Sequence, residues 1–218
     1  NLEYGIPIEA DTKFQIDDLS KQFTVLAVLI LEQQGKISLN DDIRKYIPEL
    51  PNYNYIVKVE HLLNQTTGLN DYVLVSSLGD DSPITQGDAI SWVGRQKQLN
   101  FEPGTSFSFY TSNTETTLMA NLVANAAGQS FSSFLQKHIF EPLGMLNTVV
   151  LDDANMIVPN LAASYSKTKN GYLKASLNTL VEKLMRKKAK RPLIAHIETV
   201  EEMTEFIGKH LFERVQFY

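Results

Sequence analysis

The sequence contains no cysteine in its 218 residues, which excludes disulfide bonds and thiolate metal ligands. Histidine is also scarce. The four histidines lie far apart, without the spacing of a zinc site: His61, His138, His196 and His210. We therefore expect no metal ion, and no residue pattern indicates a cofactor of another kind.

Long apolar runs and an excess of positive charge are lacking as well. The longest apolar run, residues 25–31, is far shorter than the ~20 residues that cross a bilayer, and its length is typical of a core helix. Lys and Arg number 20 against 25 Asp and Glu, which gives a net charge of −5. This balance provides no electrostatic basis for binding nucleic acid. We expect neither a membrane span nor a nucleic-acid partner.

What the sequence does have is enough apolar content, 43% of its residues, for one sizeable core. No signal peptide is visible at Asn1. Residues 1–14 are interpreted as the middle of a strand followed by a turn, so we expect the natural chain to extend beyond this start.

Helix signals recur through the first 140 residues. Ser20 is predicted to cap a helix that runs to about Gln34 and ends at Gly35. Because residues 23–31 are apolar on nearly all faces, this helix is expected to be buried all round.

Three capping patterns predict the next helices. Thr85 and Asp88 have the spacing of a capping box at the start of an amphipathic helix. Residues 114–127 form a mostly apolar helix that Gly128 ends, and Ser130 is predicted to cap a helix through residue 140.

The sequence changes character after about residue 172. Residues 183–191 are densely basic, which is typical of a solvated helix face. Residues 192–197 predict a strand and residues 199–210 a helix. Residues 173–218 are thus predicted to form a divergent helix–strand–helix segment.

Five segments in the first 172 residues carry a family resemblance: NLEYGIPIEADTKFQI, LSKQFTVLAVLILEQQGKISLNDDIRKYIPELP, VEHLLNQTTGLNDY, RQKQLNFEPGTSFSF and FLQKHIFEPLGMLNT. In their order they resemble the superfamily of serine β-lactamases and penicillin-binding proteins. The branch that they resemble holds class C β-lactamases, D-aminopeptidases and related esterases.

The resemblance implies an α/β (α+β) fold in a single β-lactamase-like domain over residues 1–218. A helical lobe around a buried central helix would pack on an antiparallel sheet, with an atypical C-terminal part. Residues 1–172 are the family-like portion. The family also implies a periplasmic or extracellular location.

In this family a Ser-x-x-Lys motif opens the central helix, so that the serine hydroxyl and the lysine amine share one helix face. Lys21 stands at the lysine place, but Asp18 stands at the serine place. The ion pair expected between Asp18 and Lys21 would stabilise the ammonium form of the lysine, which is a poor general base. A carboxylate that attacks an acyl carbon gives an anhydride, so Asp18 is a poor replacement nucleophile. The alternative interpretation is structural, since acidic residues such as Asp17 and Asp18 stabilise a helix N-terminus.

The family's second motif, Tyr-x-Asn, aligns with residues 111–113. It keeps the asparagine as Asn113 and has Thr111 in place of the tyrosine, although Phe109 or Tyr110 could be the displaced aromatic. Asn113 could instead cap the helix that follows. We find no third motif of the Lys-Thr-Gly type.

Two functions follow from these departures. The first is an acyl hydrolase for an ester, a D-amino-acid amide or a β-lactam, impaired by Asp18 or using another nucleophile among Ser20, Ser108 and Ser112. The second is a non-catalytic relative that acts as a binding or scaffolding protein. A third possibility is a truncated or recombined chain, in which the residues after 172 replace the later part of the family's fold. The expected partner is a small-molecule or peptide-like ligand in the cleft, and an exposed sheet edge would favour a homodimer.

Overall fold

The computed structural model describes residues 1–72, 85–108, 112–153, 156–169 and 171–175. The chain divides into two compact units, one of residues 10–161 and one of residues 1–9 with 162–218. The strand and the helix expected after residue 191 lie outside the described residues, as does the basic run.

The described part of the larger unit is helical. Its five α-helices are α1 (Lys21–Gln33), α2 (Val59–Asn64), α3 (Gln86–Gly94), α4 (Ser112–Ala127) and α5 (Phe131–Leu135). Shorter turns of 3-10 helix cover Asp17–Ser20 and Ile43–Lys45, and a π-helical turn covers Gln136–Phe140. Helix α4 packs against α1, α2, α3 and α5, so it lies at the centre of this unit. In the part of the chain that is described, no helix has the length and apolar content to cross a membrane.

Three of the predicted helix ends are confirmed: the starts at Thr85 and Ser130, and the end before Gly128. The Thr85 hydroxyl accepts from the Asp88 N–H at 3.2 Å, and the Asp88 carboxylate accepts from the Thr85 N–H at 3.0 Å. Ser130 Oγ accepts from the N–H of Ser133 at 3.1 Å and so begins α5. Gly128 follows α4 with a φ of +65°, which a residue without a Cβ adopts at little cost.

Two predictions near the start of the chain are wrong. Ser20 makes no side-chain cap, because it already has helical dihedrals as the last residue of the 3-10 turn that leads into α1. The strand expected in residues 1–14 is not formed there. Residues 2–5 are turns, and Lys13 makes only an isolated bridge to Leu161. Without a neighbouring strand to share a ladder, apolar content alone does not hold a segment extended.

Helix α1 is not buried all round, as its apolar run had predicted. The buried residues Thr24, Ala27, Val28 and Leu31 follow helical spacing and form one face. On the other side Leu26 and Leu29 are each 40% exposed. The described residues of this unit contribute no strand to cover that side.

The described part of the smaller unit is an antiparallel hairpin of β1 (Ser164–Thr168) and β2 (Gly171–Ala175). The N-terminal residues of the chain pack on this hairpin. Tyr165 donates from its hydroxyl to Asn1 Oδ1 at 2.8 Å, and Lys174 pairs with Glu3 at 3.1 Å. The described chain is therefore mostly helical with a small sheet, and the larger sheet expected from the resemblance is not among the described residues.

Asp41 ties together the loop after α1 and supplies a pH-dependent prediction. Its carboxylate accepts from Lys45 Nζ at 2.8 Å, from the Tyr46 hydroxyl and from the Ser38 N–H at 3.1 Å. The bonds from Lys45 and Tyr46 lower the pKa of Asp41 from 3.8 to about 2. This stabilisation is complete above the ordinary pKa and is lost as the pH falls through the depressed one.

We expect Asp41→Asn to destabilise the protein at pH 7, with the difference from the unmodified protein shrinking between pH 4 and pH 2. Urea unfolding midpoints of both proteins, measured in steps over that range, test this expectation. Glu102→Gln removes an exposed carboxyl from the same unit and serves as the control. A pH-independent gap for Asp41→Asn would contradict the assigned pKa.

Candidate functional site

The residues predicted to stand at the nucleophile and lysine positions, Asp18 and Lys21, lie at the entry to α1. Asp18 is in the 3-10 turn, and Lys21 is the first residue of the helix that follows. Their side chains form the expected ion pair, with Asp18 Oδ1 2.6 Å from Lys21 Nζ. The Asp18 side chain is 75% exposed and that of Lys21 23%. The lysine is thus held against the protein while the carboxylate faces outward.

The backbone before this pair has an uncommon conformation. Asp17 has a φ of +46°, in the left-handed region that aspartate tolerates better than most residues. Because Asp17 and Asp18 begin the turn, their charges lie at the positive end of the helical segment, as the structural interpretation expected.

Asn113 is positioned by α4, which packs against α1. The helix begins at Ser112, so Asn113 is its second residue, and the alternative of Asn113 as the N-cap is wrong. Its side chain instead reaches another segment, where Nδ2 donates to Asp71 Oδ2 at 2.9 Å. Asp71 is only 3% exposed, whereas Asn113 is exposed. A buried carboxylate therefore holds the side chain of a surface asparagine.

The next two residues of α4 hold the same segment, residues 67–72. Thr114 Oγ1 donates to the Asn70 carbonyl and accepts from the Tyr72 N–H, both at 2.9 Å. Glu115, which is fully buried, accepts from the hydroxyl of Thr67 at 2.8 Å and from its N–H at 3.3 Å. Three consecutive side chains of one helical turn thus anchor one loop.

The segment is also held from its other side. Asn70 donates its N–H to Gln96 Oε1 at 3.0 Å, and Gln96 returns a bond from Nε2 to the Asn70 carbonyl at 3.1 Å. Asn100 donates its N–H to the Gly68 carbonyl at 2.7 Å. Hydrogen bonds from two directions leave residues 67–72 little freedom to shift, which makes them a rigid support for Asn113.

The remaining predicted site residues are partly outside the part of the chain that the structure describes. Tyr110 and Thr111 lie outside the described residues, so the role of the aromatic in the second motif stays a prediction. Of the alternative nucleophiles, Ser20 ends the 3-10 turn, Ser112 begins α4 and Ser108 donates its N–H to the Gln65 carbonyl at 3.1 Å. The structure therefore brings together Asp18 with Lys21 and Asn113 with Asp71.

His61 has a structural task. Its Nδ1 accepts from the N–H of Lys58 at 3.2 Å, which satisfies the backbone donor of the N-cap residue at the start of α2. Burial lowers the pKa of His61, although the nearby Glu60 partly opposes this. Its Nε2 would lie 3.2 Å from a Cβ built on Gly104, so the ring packs against that turn.

A cavity of about 420 Å³ lies between α3 and α4. It is lined by Glu49, Gly87, Ile90, Ser91, Gly94, Arg95 and Asn121. None of the predicted site residues contributes to it, so it is separate from the Asp18 and Asn113 positions. No group of three or more metal-ligating carboxylates and histidines occurs among the residues that the structure describes.

Sequence reasoning missed Asp71. It stands 42 positions before its partner Asn113. A local signal existed in the turn GLND, where Asn and Asp follow a glycine, because such residues often bind nearby backbone. Nothing local could show that the carboxylate would be buried and would face another helix.

Three comparisons with known proteins bear on this geometry. The model of the beta-lactamase family matches residues 1–208. Over 147 residues, 66% of this chain, the sequence is 32% identical to "Penicillin-binding protein 4*" of Bacillus subtilis (strain 168), of which the match covers 32%. The chain thus spans about a third of the length of the curated relatives that it matches.

Two solved structures show the same fold. The penicillin binding protein from Bacillus halodurans superposes with a TM-score of 0.68 at 23% identity, over 80% of this chain and 53% of the other. The D-amino acid amidase from Ochrobactrum anthropi SV3 superposes with a TM-score of 0.65 at 25% identity, over 78% of this chain and 49% of the other.

Proposed function

Because the chain belongs to the beta-lactamase family, we propose that it is an acyl hydrolase of that lineage whose reaction is impaired or lost at residue 18. The proposed substrates are an ester, a D-amino-acid amide or a β-lactam. The similarity to a penicillin-binding protein and to a D-amino acid amidase supports this range.

The observation that carries the proposal is the 2.6 Å ion pair of Asp18 and Lys21. In the proposed alignment Asp18 holds the place of the nucleophilic serine, and Lys21 holds the place of its base. A carboxylate attacking an acyl carbon gives an anhydride, which is a worse intermediate than the ester formed by serine. The same carboxylate binds the ammonium group that would otherwise assist proton transfer. One residue therefore disables both partners.

Removing a nucleophile and base that act as a unit costs on the order of 10⁴-fold or more in rate. A rate loss of this size would distinguish an impaired enzyme from a fully active one in any turnover assay. The unmodified protein is then a suitable reference, because its expected activity is close to zero and any activity gained by Asp18→Ser is easily detected.

The rigid support of Asn113 favours a second candidate, a protein that binds a ligand of this class without turning it over. Asp71, Thr114 and Glu115 hold the loop and helix around Asn113 independently of Asp18. Binding needs only this recognition side of the cleft.

Intact-mass spectrometry tests the proposal. The unmodified protein and Asp18→Ser are each incubated with a β-lactam and with an activated ester. We expect an acyl adduct on Asp18→Ser alone. An adduct on the unmodified protein would overturn the inactivating role of Asp18. No adduct on either protein would leave binding without catalysis as the function.

A further inference from the structure

The cavity between α3 and α4 is large enough for a small molecule. Its volume of about 420 Å³ falls within the ~300–1,000 Å³ that ligand pockets commonly have. Part of its wall is apolar, because Ile90 lines it and is itself only 6% exposed. The other described lining residues are polar or glycine. The cavity therefore combines an apolar surface with groups that can bind a charged ligand.

Glu49 and Arg95 bring opposite charges to one end of this cavity. Arg95 directly follows Gly94 at the end of α3, and a Cβ built on Gly94 would lie 3.0 Å from the backbone oxygen of Glu49. The two charged residues thus belong to segments in contact. Within the described part of the chain, however, their side chains pair neither with each other nor with another charged residue. Both are exposed, so a ligand can reach them.

Asn121 and Ser91 add hydrogen-bonding groups from the two helices. Asn121 Oδ1 already accepts from Asn125 Nδ2 at 3.0 Å, so the group that Asn121 offers to a ligand is its own amide nitrogen, which only donates. Ser91 carries a hydroxyl on the exposed side of α3. The cavity thus has two donors suited to a carboxylate, on Arg95 and Asn121, and an acceptor suited to an ammonium group, on Glu49.

Gly87 lines the cavity near the start of α3, about 10 Å along the helix from Gly94. The backbone there does not require a glycine, because its φ lies outside the left-handed region. A Cβ at this position would meet only Thr85 Oγ1, at 3.7 Å, which is an ordinary contact. Glycine in a helix is less stable than alanine. The missing side chain at residue 87 therefore relieves no clash in the fold, but it does leave space in the cavity.

We propose that this cavity is a second ligand site, which takes a free α-amino acid with an apolar side chain. The ligand carboxylate binds Arg95 and Asn121, and its ammonium group binds Glu49. An α-amino acid carries both charges on one carbon, which matches two opposite charges at one end of a cavity. The ligand side chain then lies along Ile90 toward Gly87. This inference does not depend on hydrolysis at residue 18.

The first experiment compares leucine with two analogues that each lack one charge. Leucinamide lacks the carboxylate, and N-acetylleucine lacks the ammonium group. Each is titrated into the unmodified protein while the Asn121 side-chain amide resonances are followed in ¹⁵N–¹H spectra, where Asn121→Ser assigns them by their loss. Because the charged groups are exposed, we expect a dissociation constant on the order of 1 mM for leucine. Each analogue should bind at least about fivefold more weakly. Equal affinities, or no shift with leucine, would overturn the site.

Arg95→Gln and Glu49→Gln test the two charges of the protein. Each should weaken leucine binding by at least about fivefold, and Arg95→Gln should also bring leucine and leucinamide closer in affinity. Lys97→Gln and Glu102→Gln are the matched controls, since each removes a charge of the same sign from an exposed residue that does not line the cavity. Leucine affinity should be unchanged in both. Binding that survives Arg95→Gln and Glu49→Gln would show that leucine binds elsewhere.

Gly87→Ala tests where the ligand side chain lies. It should raise the melting temperature by about 1–4 °C, because alanine favours the helix and meets no clash there. The added methyl group should weaken the binding of leucine while sparing the free amino acid glycine, which has no side chain to reach residue 87. Unchanged leucine affinity in a stabilised Gly87→Ala would contradict the proposed orientation.

Discussion

In a protein that already carries Asp18→Ser, the second substitution Lys21→Met is expected to slow acylation by an activated ester by roughly 10²–10⁴-fold, the range for losing a general base. The chemistry requires the serine hydroxyl to lose its proton as its oxygen bonds to the acyl carbon and the alcohol leaves. In the unmodified protein Lys21 Nζ lies 2.6 Å from Asp18 Oδ1, so the amine is next to the side chain at position 18. Replacing Asp18 also removes this ion pair.

The measurement is the rate at which adduct mass accumulates, compared between the single and the double variant. Lys45→Met provides the control, because Lys45 pairs with Asp41 at 2.8 Å in the same unit and its loss changes the net charge equally. Acylation should be unaffected by that change. If the double variant Asp18→Ser/Lys21→Met acylates as fast as Asp18→Ser alone, Lys21 is not the general base.

The features that sequence predicted correctly depend on residues close together in the chain. Thr85 with Asp88, and Ser130 before α5, are caps that form within three residues, and Gly35 and Gly128 supply the positive φ after α1 and α4. The ion pair of Asp18 with Lys21 spans one helical turn and is local for the same reason.

The features that sequence missed depend on the path of the chain or on residues outside the local pattern. Whether Ser20 caps a helix depends on the path of the chain before it, which turns at Asp17 with a positive φ. Asn113 looked like a cap because its tertiary partner, Asp71, cannot be read from the residues around it. The exposure of Leu26 and Leu29 likewise depends on what packs over α1, which periodicity does not specify.

Gly68→Ala is expected to be the most damaging single change to the support of the site, at about 2–5 kcal/mol of stability. Gly68 has a φ of +77°, and an alanine there bears a strain of about 1–2 kcal/mol. A Cβ at this position would also lie 2.3 Å from the backbone oxygen of Phe101, and a backbone atom cannot rotate away as a side chain can. Forcing the two segments apart adds about 1–3 kcal/mol.

Gly35→Ala is the control that separates the backbone strain at a positive φ from the steric clash expected at Gly68. Gly35 has a similar φ of +69°, but nothing lies within 4 Å of the position of its Cβ. Denaturant unfolding of both variants should therefore show a loss of only about 1–2 kcal/mol for Gly35→Ala. If Gly68→Ala and Gly35→Ala lose the same stability, the segment around Gly68 moves to accommodate the added methyl group without further cost. Because Gly68 precedes Asp71 by three residues, the shift forced by alanine should also move the Asn113 amide resonances, which Gly35→Ala should leave in place.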